Sequence, residues 1–129
     1  MPRRHKAVHT LNLSGTKMVD RKEMPPLWLR ELCETMQKEP NFVLGLPYMI
    51  EISGKSQAHL TRSMQKYFGQ TPTQFINNLR LDFALGKLRE MDKDDTVLPL
   101  IYASGFRSVG HFYKLFKARF GASPKAFQK

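Results

Sequence analysis

From residue 27 onward the apolar residues recur at helical spacing, in runs cut by glycine and proline. Leu27, Trp28, Leu32 and Met36 predict a first helix reaching about Lys38, and "EPN" at 39–41 breaks it. A short second helix is predicted from about Leu46 to Ser53, with Pro47 in its first turn, where a missing amide costs little, and Gly54 after its end. The third runs from a Ser56 cap to Gly69. Pro72 opens a long fourth helix, carrying Phe75, Ile76, Leu79, Phe83 and Leu88, to about Met91. A fifth is expected from near Thr96 to Gly105, which keeps Pro99 inside its first turn. After Ser108 comes a sixth, whose Phe112, Phe116 and Phe120 repeat every four residues and so share one face. Pro124 starts a last short turn. Trp28, Phe75 and the three phenylalanines are expected in the core. No segment alternates as a strand would, so the fold class is all-α. Residues 1–24 hold no sustained period and read as a flexible tail or interdomain remnant, which leaves 25–129 as the folded domain.

The chain repeats itself. "SGKSQAHLTRSMQKYFGQTPTQF" at 53–75 resembles "SGFRSVGHFYKLFKARFGASPKAF" at 104–127. The offset is 51 at the Ser-Gly pair and 52 after one added residue in the turn. Ser56 then pairs with Ser108, His59 with His111, Phe68 with Phe120, Gly69 with Gly121 and Phe75 with Phe127. Each copy reads as a short helix, a glycine-containing turn and a longer Ser-capped helix with a basic outer face. That is the helix-turn-helix unit, whose second helix enters the major groove of DNA. One such match is weak evidence, because glycine turns between short helices are common; two in register are strong.

Charge sharpens the picture. The net charge of +10 favours an anionic partner, and its placement is regional. Residues 107–129 hold six Lys or Arg and no acid, and residues 54–89 hold six against the single Asp82. The acids gather in 20–51 and in "DKDD" at 92–95. A single cysteine, Cys33, allows no intrachain disulfide and fits a reducing compartment, and its apolar neighbours suggest a buried, inert thiol. With no apolar run near the roughly 20 residues of a membrane span and no secretory signal, the expected location is cytoplasmic, without a membrane partner. Catalysis is not expected: there is no paired-carboxylate cleft, Gly-rich phosphate loop or nucleophile with a base. His59 and His111 lack a Cys or carboxylate at ligand spacing, so they read as packing or phosphate-contacting groups, and neither metal nor cofactor is expected.

"SGF" before the last long helix, "FYKLFKARFG" within it, "SPKAF" after it, and Arg80, Ala84 and Leu88 on the linking helix resemble the DNA-binding domain of AraC/XylS-type transcription regulators. The likeness covers about residues 26–129, and 55–84 is similar to regulators of sugar-utilisation operons that carry an N-terminal cupin-type sensor. It implies about seven helices in two helix-turn-helix subdomains joined by one long helix. It also implies sequence-specific binding of double-stranded DNA, activation as the sign of regulation, RNA polymerase as a protein partner, and an upstream effector-sensing domain of which residues 1–24 would be the remnant. The alternative is a sequence-indifferent or RNA-binding basic helical protein. Geometry is compatible with the first reading: a helix over 72–91 spans about 30 Å at 1.5 Å per residue, near the roughly 34 Å of one DNA turn.

By resemblance, the base-reading positions fall on Gln57, Ala58, Thr61 and Arg62, and on Val109, Gly110, His111, Tyr113 and Lys114. Arg62 has the fork that matches guanine O6 and N7, worth roughly 1–3 kcal/mol of discrimination. Gln57 suits adenine or phosphate, Thr61 and Val109 offer methyls to thymine, and Lys114 serves guanine or phosphate. Ala58 and Gly110 share a repeat position. Their small size lets the backbone approach the groove closely, at a helix-propensity cost of roughly 1 kcal/mol for glycine; Gly110 is otherwise a tolerated gap. Ser56 and Ser108 are caps whose helix N-termini also suit phosphate. Arg107 is expected among the DNA-binding residues, and Lys66, Lys117, Arg119 and Lys125 are phosphate contacts or solvated charge. Tyr113 is open between phosphate contact and packing, and Arg80 between an internal carboxylate and the DNA backbone. Ile50 and Ile101 stand where the family commonly has a small alanine, which implies wider local spacing or smaller facing residues.

Overall fold

The computed structural model describes residues 24–129, so the expected tail lies, Met24 apart, outside the described residues. Among the described residues there are seven helices and no strand, as the all-α expectation requires. They are α1 (Leu27–Met36), α2 (Asn41–Leu44), α3 (Leu46–Ser53), α4 (Gln57–Phe68), α5 (Pro72–Leu88), α6 (Leu98–Ala103) and α7 (Val109–Phe120), with a 3-10 turn at Pro124–Phe127. The chain forms two compact units, one reaching Ile76 and the other running from Asn77 onward; α5 contributes to both.

The first unit is built on one face of each helix. Leu29, Leu32, Cys33 and Met36 of α1 are buried with Met49 of α3, Leu60, Met64 and Phe68 of α4 and Phe75 of α5. The step of four that joins Leu60, Met64 and Phe68 stacks them on one face of α4. The Cys33 thiol lies 3.9 Å from the Met64 sulfur. Burial pushes it from 9.0 up to about 12, so it stays protonated and inert at neutral pH. Helix α2 is an addition, because the sequence reads as a break there. Asn41 caps the preceding turn by donating Nδ2–H to the Thr35 carbonyl at 2.8 Å, and Phe42, 4% exposed, pins the single turn to the core. Trp28, expected in the core, is only half-buried.

The second unit gathers Leu81, Ala84 and Leu88 of α5, Ile101 of α6, Phe106 of the following turn, and Phe112 and Phe116 of α7. Phe116 meets Phe120 at 4.7 Å and Phe127 at 5.7 Å between ring centroids. Phe120, expected wholly inside, is half-buried with Phe127 at the edge of this aromatic cluster. Ile101 is enclosed whereas Ile50 is half-buried, so the two isoleucines do not pack alike.

Two helix ends differ from expectation for one reason. α5 stops at Leu88 rather than Met91, and α6 begins at Leu98 rather than Thr96. Between them the Asp92 amide donates to the Asp95 carboxylate at 3.0 Å, and the Asp95 amide to the Asp92 carbonyl at 3.0 Å. Such local bonds compete with helix. Gln128, 5% exposed, fastens this loop by donating Nε2–H to the carbonyls of Asp92 and Asp95 at 2.7 and 3.1 Å. Pro99 sits in the first turn of α6, where its lack of an amide is harmless.

Candidate nucleic-acid interface

Helices α4 and α7 are built alike, and each presents an outward face. Both have twelve residues. Each begins at a serine whose hydroxyl accepts the third helical amide: Ser56 from His59 and Ser108 from His111, both at 3.1 Å. Each ends at a left-handed glycine, Gly69 or Gly121, whose amide donates back to the Gln65 or Lys117 carbonyl. A shorter helix precedes each, α3 before α4 and α6 before α7.

The proposed reading positions sit on the faces left outside. Gln57, Ala58, Arg62 and Lys66 of α4 are exposed and Thr61 is half-buried. On the second unit Arg107, Gly110, His111, Tyr113, Lys114 and Lys117 are exposed, as are the two capping serines. Val109 is the exception: it is half-buried and packs against the core of its own unit. A Cβ built on Gly110 meets nothing within 4 Å, so nothing in the folded chain demands glycine there.

A feature invisible in the sequence links the two histidines. The His59 ring stands edge-on to Trp28, with centroids 5.7 Å apart, while the Lys55 ammonium lies 4.9 Å from the same indole. In the second unit His111 stands edge-on to Phe106 at 6.4 Å, and the Arg80 guanidinium lies 5.9 Å from that ring. Each histidine thus packs on an aromatic ring that also carries a cation. The ring comes from α1 in one unit and from the turn before α7 in the other, so comparison of the repeats does not reveal it.

Arg80 settles beside the turn. A Cβ on Gly105, at φ +111°, would lie 2.6 Å from Arg80 Nε; that flexible side chain can shift, so it is the backbone conformation that calls for glycine. Burial, and then the charge of Arg107, lower the Arg80 guanidinium from its ordinary range. Two other cations have partners within the fold. Arg119 Nε and Nη2 donate to the two Asp82 oxygens at 3.0 and 3.1 Å, a bidentate pair that occupies the fork. Lys125 donates to the Lys93 carbonyl at 3.0 Å and helps hold the acidic loop. The signal for the first was present, since Asp82 is the only acid between 54 and 89. Lys66 lies over Tyr67, 5.2 Å from its centroid, near the end of α4. Among the described residues no three His, Cys, Asp or Glu side chains converge as a metal site would require.

Two capped helices, each behind a short helix and a glycine turn and each bearing cations outward, define a helix-turn-helix protein. More narrowly, the helix-turn-helix domain family HTH_18, of AraC type, matches residues 49–129, and the chain belongs to that family. It is 30% identical over 101 residues to the transcriptional regulator MtrA of Neisseria gonorrhoeae, covering 78% of this chain and 33% of that one. It is 36% identical over 70 residues to the transcriptional activator RhaS of Escherichia fergusonii, covering 54% and 24%. With the regulator CdhR of Pseudomonas aeruginosa it shares 32% over 106 residues, covering 82% and 26%. The chain therefore spans only a quarter to a third of the length of these relatives. The solved structure of the xylose-binding transcription activator XylR shares the fold, with a TM-score of 0.63 at 17% identity, over 81% of this chain and 27% of that one.

Proposed function

We propose that residues 25–129 bind duplex DNA at a specific sequence, as a single chain that places α4 and α7 in two successive major-groove segments about 10 bp apart. The observation that carries this reading is the duplication: two helices of equal length, capped and terminated alike, with His59 and His111, and Arg62 and Lys114, exposed at matching positions. Two reading helices in one chain remove the need for a dimer. Relatives named as activators support activation as the sign of regulation, which makes RNA polymerase the protein partner. The greater length of those relatives, together with a structural neighbour named as xylose-binding, supports an effector-sensing region as a further partner. Work on DNA places the chain in the cytoplasm; among the described residues no helix is long and apolar enough to cross a membrane.

Selection of bound duplexes from random DNA, followed by footprinting and a mass measurement on the complex, tests this. The expected result is a defined sequence protected over two groove segments at one chain per duplex. Protection explained only by two chains per site sinks the single-chain reading, and binding without any selected sequence sinks the specific one.

A further inference from the structure

The repeat lets the two reading faces be compared position by position at an offset of 52: Gln57 with Val109, Ala58 with Gly110, Thr61 with Tyr113, and Arg62 with Lys114. Their surroundings differ. Gln57 and Arg62 are exposed, one carrying a planar amide and the other a planar guanidinium. Val109 is half-buried against its own core, which draws the counterpart of Gln57 partly inward. Gly110 adds no side chain, and open space surrounds it. Tyr113, 40% exposed, sets its ring edge-on to Phe112 at 5.5 Å, and Lys114 ends in a point charge.

Chemistry separates these faces. Single hydrogen bonds and methyl contacts also read bases, but discrimination is strongest from a group that makes two directed hydrogen bonds to one base edge, as an arginine fork does with guanine and a carboxamide with adenine. Helix α4 has one of each. Helix α7 has neither at the matched positions; an ammonium there serves phosphate as readily as guanine, and a glycine favours close backbone approach. We infer that the two units divide the work: α4 reads bases, and α7 anchors the complex by charge and fit. The DNA site is then asymmetric, with its sequence information concentrated in the half bound by the first unit. This rests on the DNA-binding reading above.

Selection from random duplex DNA with the wild-type chain and exposed-position variants tests the inference. Arg62→Ala and Gln57→Ala should each erase preference within one half of the site and weaken the selected duplex roughly tenfold to a hundredfold, with a much smaller effect on random duplex. Lys114→Ala should weaken selected and random duplexes by similar factors and leave the information-rich half as it was. Lys114→Arg adds a fork at unchanged charge and should create a new guanine preference in the poor half. Thermal melting of each variant checks that the fold is kept. Equal information in the two halves, or loss of a base preference in Lys114→Ala comparable to that in Arg62→Ala, overturns the inference alone. A wild-type chain that selects no sequence overturns the specific-binding reading together with it.

Discussion

At the residue scale, two glycines on either side of Ser108 behave in opposite ways. Gly105 has φ +111° and the Arg80 side chain where a Cβ would go. Gly110 is helical and faces open space. Gly105→Ala should therefore destabilise the second unit by about 1–3 kcal/mol, because the conformation is strained and Arg80 must move. Gly110→Ala should stabilise it by up to about 1 kcal/mol, the helix-propensity difference. Urea melts of the two variants decide this, and a destabilising Gly110→Ala would mean that its surroundings are tighter than the structure shows. If close backbone approach is the reason for glycine, the same stabilised variant should bind the selected duplex less well. Sequence pattern alone flags both glycines, but only neighbouring atoms tell them apart, since Arg80 lies 25 residues away along the chain. Cys33 was more legible: apolar neighbours on a helix foretold the buried thiol. With its pKa raised to about 12, it should resist thiol reagents at pH 8 until urea unfolds the first unit. The sign for stability follows: above the unfolded value near 9.0 only the unfolded thiol loses its proton, so this group favours unfolding between about pH 9 and 12.

At the scale of elements, α7 carries Lys117 and Arg119 two residues apart, and the fold assigns them different work. Asp82 on α5 holds the Arg119 fork, whereas Lys117 is exposed. Lys117→Ala should lower affinity for any duplex and reduce the slope of log affinity against log salt by about one. Arg119→Ala should leave that slope nearly as it was and instead cost the second unit about 0.5–1 kcal/mol, since the pair is part-exposed and screened by solvent. Salt titrations of both variants beside their melting curves separate the roles; equal slope changes would mean that Arg119 releases Asp82 to take a phosphate. What the sequence revealed of these elements follows from the kind of force involved. Helix starts at Ser56, Pro72 and Ser108 and stops at Gly69 and Gly121 are local chemistry, and they fall where expected. The ends at Leu88 and Leu98 are set by the Asp92–Asp95 bonds in a loop that Gln128 holds from 33 and 36 residues away, and α2 depends on Phe42 finding the core. Neither leaves a periodic trace. The outward placement of Arg62 and Lys114 follows from the period of the helix, while the inward draw of Val109 comes from packing that no pattern encodes.

At the scale of the whole molecule, what counts is where the charge of +10 acts. Among the described residues Asp82 is occupied by Arg119, and the acids at 92–95 lie in the loop that Gln128 and Lys125 fasten through its backbone. The exposed cations of α4 and α7, Arg62, Lys66, Lys114 and Lys117, therefore face outward with no acid in either helix. A duplex bound there releases counterions in proportion to the phosphates neutralised, roughly 0.9 per contact in the log–log slope. With these four cations and Arg107 giving about 4–5 contacts over two units, affinity should fall by roughly 10²–10³ between 50 and 200 mM salt. The same titration on selected and random duplexes makes the prediction sharper. Phosphate contacts are nearly common to both, so the two lines should run almost parallel, and their vertical separation should measure the base reading assigned mainly to Gln57 and Arg62. Removing Arg62 should then close most of that gap while shifting the random line far less. A flat dependence on salt would show that the basic faces meet something other than a nucleic-acid backbone. Parallel lines with no gap would leave a DNA-binding chain without a preferred sequence.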